Sequence, residues 1–290
     1  METSELLKKV RQIEIKTRGL SKNIFAGQYH SAFKGRGMAF SEVREYQYGD
    51  DIRDIDWNVT ARQNSPHIKI FEEEREMTVM LLVDVSGSRE FGTIVRTKKE
   101  LMTEIAATMA FSAIQNNDKI GVIFFSDRIE KYIPPQKGKK HVLAIISELL
   151  NFEPVERGTD IKKVLQYITN AQKKRCTTFL ISDFIDNSDF RQALTIAINE
   201  HDMVAIQVYD PRETQLPPVG LMKLRDAETG REMWVDASSR KVRERYAAWW
   251  SEMQERARDA FNKSRVDAVS IATNEDFVPA LMNMFKQRGS

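Results

Sequence analysis

Apolar and polar positions follow two rhythms along this chain. Short, mostly apolar runs at residues 77–83, 119–125, 177–182, 203–209 and 266–271 have the length of strands, and 77–83 reads as one buried on both faces. Between them apolar residues recur every three or four positions, as Leu101, Ile105, Met109 and Ile114 do within residues 96–115. Further helices are predicted over 139–150, 160–172, 189–199 and 276–286. Residues 128–133 read as an edge strand ending at Pro134-Pro135. Strand and helix alternate, so the fold class is α/β: a doubly wound, mostly parallel sheet with helices on both faces.

The rhythm changes at both ends of this block. Residues 5–17 carry Leu6, Leu7, Val10 and Ile13 at helical spacing, and 18–37 are punctuated by glycines. Residues 38–48 and 67–77 read as strands. Residues 1–76 are therefore expected to form a separate, β-rich N-terminal part, and 77–290 the α/β domain. Within 211–236 the pattern 220–224, Glu228-Thr229-Gly230, 232–235 predicts a hairpin inserted into that domain. A long helix follows over 239–261, with Val242, Tyr246, Trp249, Met253 and Ala257 on one face.

Composition narrows the class of protein. In 290 residues, 41% are hydrophobic and 30% charged, and the net charge is +2. That balance suits a globular chain with a sizeable core and gives no electrostatic reason to expect nucleic acid. The single cysteine, Cys176, excludes an internal disulfide and suits a reducing compartment. No apolar run is long enough to span a bilayer, and Met1 to Lys9 lacks the apolar core of a signal peptide. The expectation is a cytoplasmic protein.

The candidate chemistry sits at strand ends. Asp84-Val85-Ser86-Gly87-Ser88 joins the strand 77–83 to a helix and offers one carboxylate and two hydroxyls. These are hard oxygen donors of the kind magnesium takes in an octahedral shell. Arg157-Gly158-Thr159-Asp160 opens a later helix with a hydroxyl beside a carboxylate. Asp183 ends the strand 177–182. Parallel strands bring such ends to one edge, where open α/β sheets bind ligands.

Asp84-x-Ser86-x-Ser88, Thr159 and Asp183 together resemble the metal-ion-dependent adhesion site of von Willebrand factor A domains. By that resemblance Ser86 and Ser88 bind a metal directly and Thr159 directly or through water. Asp84 and Asp183 act through water, and a partner's acidic side chain completes the shell. The cofactor implied is Mg²⁺, with Mn²⁺ or Ca²⁺ as alternatives. The segments 35–46 and 48–57, followed by Ala61-Arg62, are similar to the signature of the bacterial family named domain of unknown function fifty-eight. That family places such a segment before an A-like domain and is commonly encoded beside MoxR-type AAA+ ATPases. The implied role is a metal-dependent protein–protein interaction module, not an enzyme, that partners such an ATPase.

Other readings attach to particular residues. Ser86 on a strand-to-helix turn suggests a metal-dependent hydrolase, yet Asp84 stands where a nucleophile elbow needs glycine. His201 precedes a strand and is expected at the far edge of the sheet. The basic residues Lys131, Lys137, Lys139, Lys140 and His141 suggest a nucleic-acid adaptor or, more simply, a solvated face. Asp50, Asp51, Asp54 and Asp56 lack the spacing of a calcium loop and are expected to form a structural polar network with nearby arginines. Alone, Ser88 or Thr159 would be a helix cap and Asp84 the anchor of a turn.

Overall fold

The computed structural model describes residues 11–14, 39–72, 77–93 and 95–289. Of the predicted helix 5–17 only 11–14 are included, and these are helical; the glycine-rich 18–37 lies outside the described residues. The chain divides into two compact units, the smaller over Lys34–Met77.

The smaller unit is a two-stranded antiparallel sheet with a helix between its strands. Strands β1 (Ala39–Glu45) and β2 (His67–Glu72) pair with an irregularity between Phe40 and Glu42. The connecting segment, expected only as an acidic network, also folds into a 3-10 turn and helix α1 (Trp57–Gln63). Its aspartates explain that. Asp51 accepts from Arg53 N, and Asp56 caps α1 by accepting from the amides of Asn58 and Val59. Arg44 grips Asp50 with two bonds of 2.8 Å. Asp50, Asp51 and Asp56 thus serve an ion pair and helix caps inside this unit.

The larger unit is built on a six-stranded sheet of order β10-β7-β6-β3-β4-β5. Its strands are β3 (Thr78–Asp84), β4 (Lys119–Phe125), β5 (Ile129–Gln136), β6 (Thr177–Ser182), β7 (Asp202–Tyr209) and β10 (Asp267–Ala272). All neighbours are parallel except β5, which runs antiparallel to β4 on the edge. The edge strand continues through Pro134 and Pro135 to Gln136. Proline is tolerated there because an edge strand's outward N–H groups have no ladder partner to lose.

Helices cover both faces. On one, Met80, Leu82, Ile123, Phe125 and Leu180 pack with α4 (Ile161–Ala171), α5 (Arg191–Glu200) and α6 (Arg240–Ser264). On the other lie α2 (Lys98–Gln115), α3 (Lys139–Asn151) and α7 (Phe277–Gly289), with Phe179 edge-on to Phe285 at 6.4 Å. Helix α2 is buried along most of its length, so its apolar residues do not form a single stripe. Thr97 and Glu100 close a capping box at its start. The doubly wound, A-like α/β fold expected from the sequence is the one observed. The predicted insertion is a two-stranded hairpin, β8 (Leu221–Arg225) and β9 (Glu232–Asp236).

Candidate functional site

Three loops meet at the carboxyl edge of the sheet. Strands β3 and β6 are parallel neighbours with Val83 opposite Ile181, so Asp84 and Ser182 end side by side. Ser182 Oγ donates to Asp84 Oδ2 at 2.6 Å, and the other Asp84 oxygen accepts from Ser86 N at 2.9 Å. Backbone bonds bring in the third loop. Val85 N donates to Phe125 O, Asp160 N to Ser126 O, and Gly87 N to Arg157 O, all within 3.0 Å. The 157–160 loop is thus tied to the 84–88 loop directly and through the end of β4.

The side chains of Asp84, Ser86, Ser88 and Asp183 lie together. Ser86 and Ser88 hydroxyls lie 3.1 Å apart, and Ser88 Oγ donates to Asp183 Oδ2 at 2.7 Å. Asp84, Ser86 and Asp183 are buried. Thr159 does not bond to these four; its hydroxyl donates to Glu228 Oε1, 2.9 Å away at the hairpin tip. Beside Asp183 the chain turns sharply: Phe184 has φ 57°, unusual for a bulky residue, while its ring packs 4.9 Å from that of Phe261. Its amide donates to Ser182 Oγ and that of Ile185 to Asp183 Oδ1. The strained turn therefore fixes where Asp183 points.

Sequence reasoning missed four members. Lys98, one residue inside α2, is fully buried, and its Nζ donates to Asp183 Oδ2 at 2.8 Å and Glu213 Oε1 at 2.6 Å. Nothing in Thr97-Lys98-Lys99-Glu100 marks it off from a solvated first helical turn. Glu213 lies in a turn after β7, Ser182 had been read only as strand, and Glu228 only as a turn residue. The position of Glu228 follows from a close approach. A Cβ on Gly87 would stand 2.2 Å from the Ala227 carbonyl oxygen, so glycine lets the hairpin tip sit on the Asp84–Ser88 loop.

The electrostatics are unbalanced. Four carboxylates, Asp84, Asp183, Glu213 and Glu228, are set against the Lys98 ammonium and the buried Arg89 guanidinium, whose charge reaches Asp84. Burial, and then the charge of Asp183, push Asp84 up to about 6. Burial, with the charges of Asp183 and Asp84, pushes Glu228 up to about 7. Asp183 moves the other way: burial is outweighed by Lys98, which holds it below the usual carboxylate range. Lys98 is itself raised, because Asp183 and Glu213 outweigh its burial. A bound cation would relieve the remaining repulsion.

The donor set fits a hard divalent ion. All five sequence-predicted residues present oxygen. Adjacent ligands of an octahedral ion with bonds of about 2.05 Å lie about 2.9 Å apart, close to the 3.1 Å between Ser86 and Ser88. Asp183 Oδ2 is already shared by Ser88 and Lys98, which leaves the hydroxyls as the freer donors. Among the described residues no group of three or more His, Cys, Asp or Glu is placed to hold a metal. An ion here would depend on the serine and threonine hydroxyls.

The other candidates fall elsewhere. His201 is buried at the start of β7, where its Nδ1 lies 3.5 Å from Cys176 Sγ, at the opposite edge from Ser86. Of the basic residues, Lys131 pairs with Glu148 at 2.7 Å and Lys139 with Glu14 at 2.5 Å, while His141 Nε2 lies 2.9 Å from the Ile120 carbonyl. Among the described residues no helix is long and apolar enough to cross a membrane.

Known proteins share this framework. An uncharacterized protein of Mycobacterium tuberculosis is 29% identical over 235 residues, covering 80% of this chain and 74% of its own. The Bacillus subtilis protein YeaD, also uncharacterized, is 26% identical over 122 residues, 42% of this chain and 27% of its own. Among solved structures, an aerotolerance-related membrane protein of Bacteroides fragilis aligns with a TM-score of 0.50 at 16% identity, over 73% of this chain and 98% of that one. That likeness speaks to the fold alone. A family model matches residues 42–256, spanning both compact units, and on that match the chain belongs to the family described as Protein of unknown function DUF58.

Proposed function

We propose that this chain is a protein-interaction module whose contact point is a divalent-cation site formed by Asp84, Ser86, Ser88, Thr159 and Asp183. The observation that carries this reading is the meeting of Ser86, Ser88 and Asp183 within hydrogen-bond distance on neighbouring loops. Bound there, Mg²⁺ supplies a Lewis-acidic position that accepts a carboxylate from another protein. The chain's own residues do the rest. Ser86 and Ser88 would offer their hydroxyls to the ion, while Asp84 holds the loop by accepting from Ser86 N and Ser182 holds Asp84. Lys98 and Glu213 fix Asp183 from behind. The partner that the family resemblance supports is a MoxR-type AAA+ ATPase, met in the cytoplasm.

The test is a pull-down of the cognate ATPase with and without Mg²⁺, comparing wild type with Asp84→Ala. Capture that needs both Mg²⁺ and Asp84 supports the reading; equal capture in all four conditions rejects it. A hydrolase built on Ser86 is disfavoured by its surroundings. The Ser86 hydroxyl meets Ser88 and the Asp84 carboxylate and no imidazole, because His201 lies at the other edge.

A further inference from the structure

The hairpin β8–β9 extends from the sheet edge and has its tip on the candidate site. Most of its strand residues are exposed, including Leu221 at 67%, Met233 at 62% and Trp234 at 66%. Little apolar burial therefore holds its strands against the unit. The tip, by contrast, is shaped and seated. Asp226 Oδ1 accepts from Glu228 N and Thr229 N, both at 2.9 Å, and Gly230 at φ 69° closes the turn. The Ala227 carbonyl sits over Gly87, where no side chain would fit. The turn thereby delivers the Glu228 carboxylate to Thr159 Oγ1 at 2.9 Å.

This is the chemistry that the proposed function assigns to a partner: a carboxylate placed beside a hydroxyl of the site. We propose that Glu228 is the chain's own carboxylate ligand for the cation, so that a partner's acid must displace the hairpin tip to engage. The inference rests on the metal-site reading above. Three observations support it: the bond to Thr159, the close seat over Gly87, and the weak anchorage of the strands. A tip held by a few polar contacts can lift without disturbing the core.

The experiment uses Mn²⁺ as probe with the full chain at pH 8. Free Mn²⁺ is followed by electron paramagnetic resonance, and water on the bound ion by proton relaxation. Wild type, Glu228→Gln, Glu228→Ala and Asp84→Ala are compared. The expected result is that both Glu228 variants bind Mn²⁺ about tenfold more weakly and give higher relaxation per bound ion, because water replaces the carboxylate. Hydrogen exchange at 226–231 should slow on adding Mn²⁺ in wild type and not in Glu228→Gln. If wild type and both Glu228 variants bind equally tightly with equal relaxation per ion, while Asp84→Ala binds nothing, the hairpin inference is overturned and the site stands. If wild type shows no saturable Mn²⁺ binding, the metal-site reading fails and the inference fails with it.

Discussion

Replacing Lys98 with methionine should destabilise the protein sharply, because its ammonium is fully buried and bonded to two acids. Lys98 is fully buried, Asp183 is 1% exposed, and the bonds to Asp183 and Glu213 are 2.8 and 2.6 Å. Methionine keeps most of the packing volume, so the loss isolates the charge. Removing one partner of a buried pair typically costs about 3–5 kcal/mol. The alternative route, protonating Asp183 at pH 7.5 from an ordinary carboxylate value, comes to about 5 kcal/mol. The two routes agree in size. For a unit of this length the melting temperature should fall by about 6–20 °C.

The assay is urea unfolding followed by far-ultraviolet circular dichroism, in EDTA, for wild type and Lys98→Met. The midpoint should fall with an unchanged slope. The pH dependence has a definite sign. Without Lys98 the folded Asp183 carboxyl is raised, so the variant's deficit should be largest at high pH and shrink as pH falls through that raised value. Adding Asp183→Asn should recover part of the loss. Mg²⁺ at about a hundredfold its dissociation constant should return up to ~2.7 kcal/mol. A Lys98→Met protein within about 0.5 kcal/mol of wild type at pH 7.5 would refute the reasoning, since that is the scale of an ordinary surface substitution.

Two further outcomes are expected. Gly87→Ala forces a methyl to within 2.2 Å of the Ala227 carbonyl oxygen, so the hairpin tip must lift; amide exchange at Glu228 and Thr229 should quicken, with a loss of about 1–3 kcal/mol, and unchanged exchange would contradict the packing. His201 is buried, and burial lowers its pKa; its contribution is present above the unfolded value of about 6.5 and lost as pH falls through that value towards the folded one. Urea midpoints of wild type relative to His201→Gln should therefore decline from pH 7 to pH 5, and a constant difference would contradict a buried neutral imidazole.

Much of this was legible before the fold was in view. Strands such as β3 and β6 announce themselves because a strand covered on both faces needs apolar residues at every position. The nearness of Asp84, Ser86, Ser88 and Asp183 was legible because they lie at or just past strand ends, where α/β topology gathers side chains, whereas Thr159 meets Glu228 instead. Lys98 and Glu228 were not. A lysine in a first helical turn and a glutamate in a hairpin turn are what solvated surface looks like. Only the closure of α2 onto the sheet, which sets Lys98 beside Asp183, and of the hairpin tip against Gly87, turns them inward. Helix α1 was hidden for a related reason: its cap, Asp56, lies within a run of acids that suggests charge density before it suggests a helix start. The edge strand β5 outran its prediction because Pro134 and Pro135 break a strand only where their missing N–H groups are needed.

The most direct measurement is a crystal structure grown with Mn²⁺, with anomalous data collected at the manganese edge. The account predicts one strong peak within about 2.3 Å of the Ser86 and Ser88 hydroxyls and close to Thr159, on the side that faces Glu228. A well-ordered site with no anomalous density there, its hydroxyls hydrogen-bonded only to protein as Ser88 is to Asp183, would contradict it.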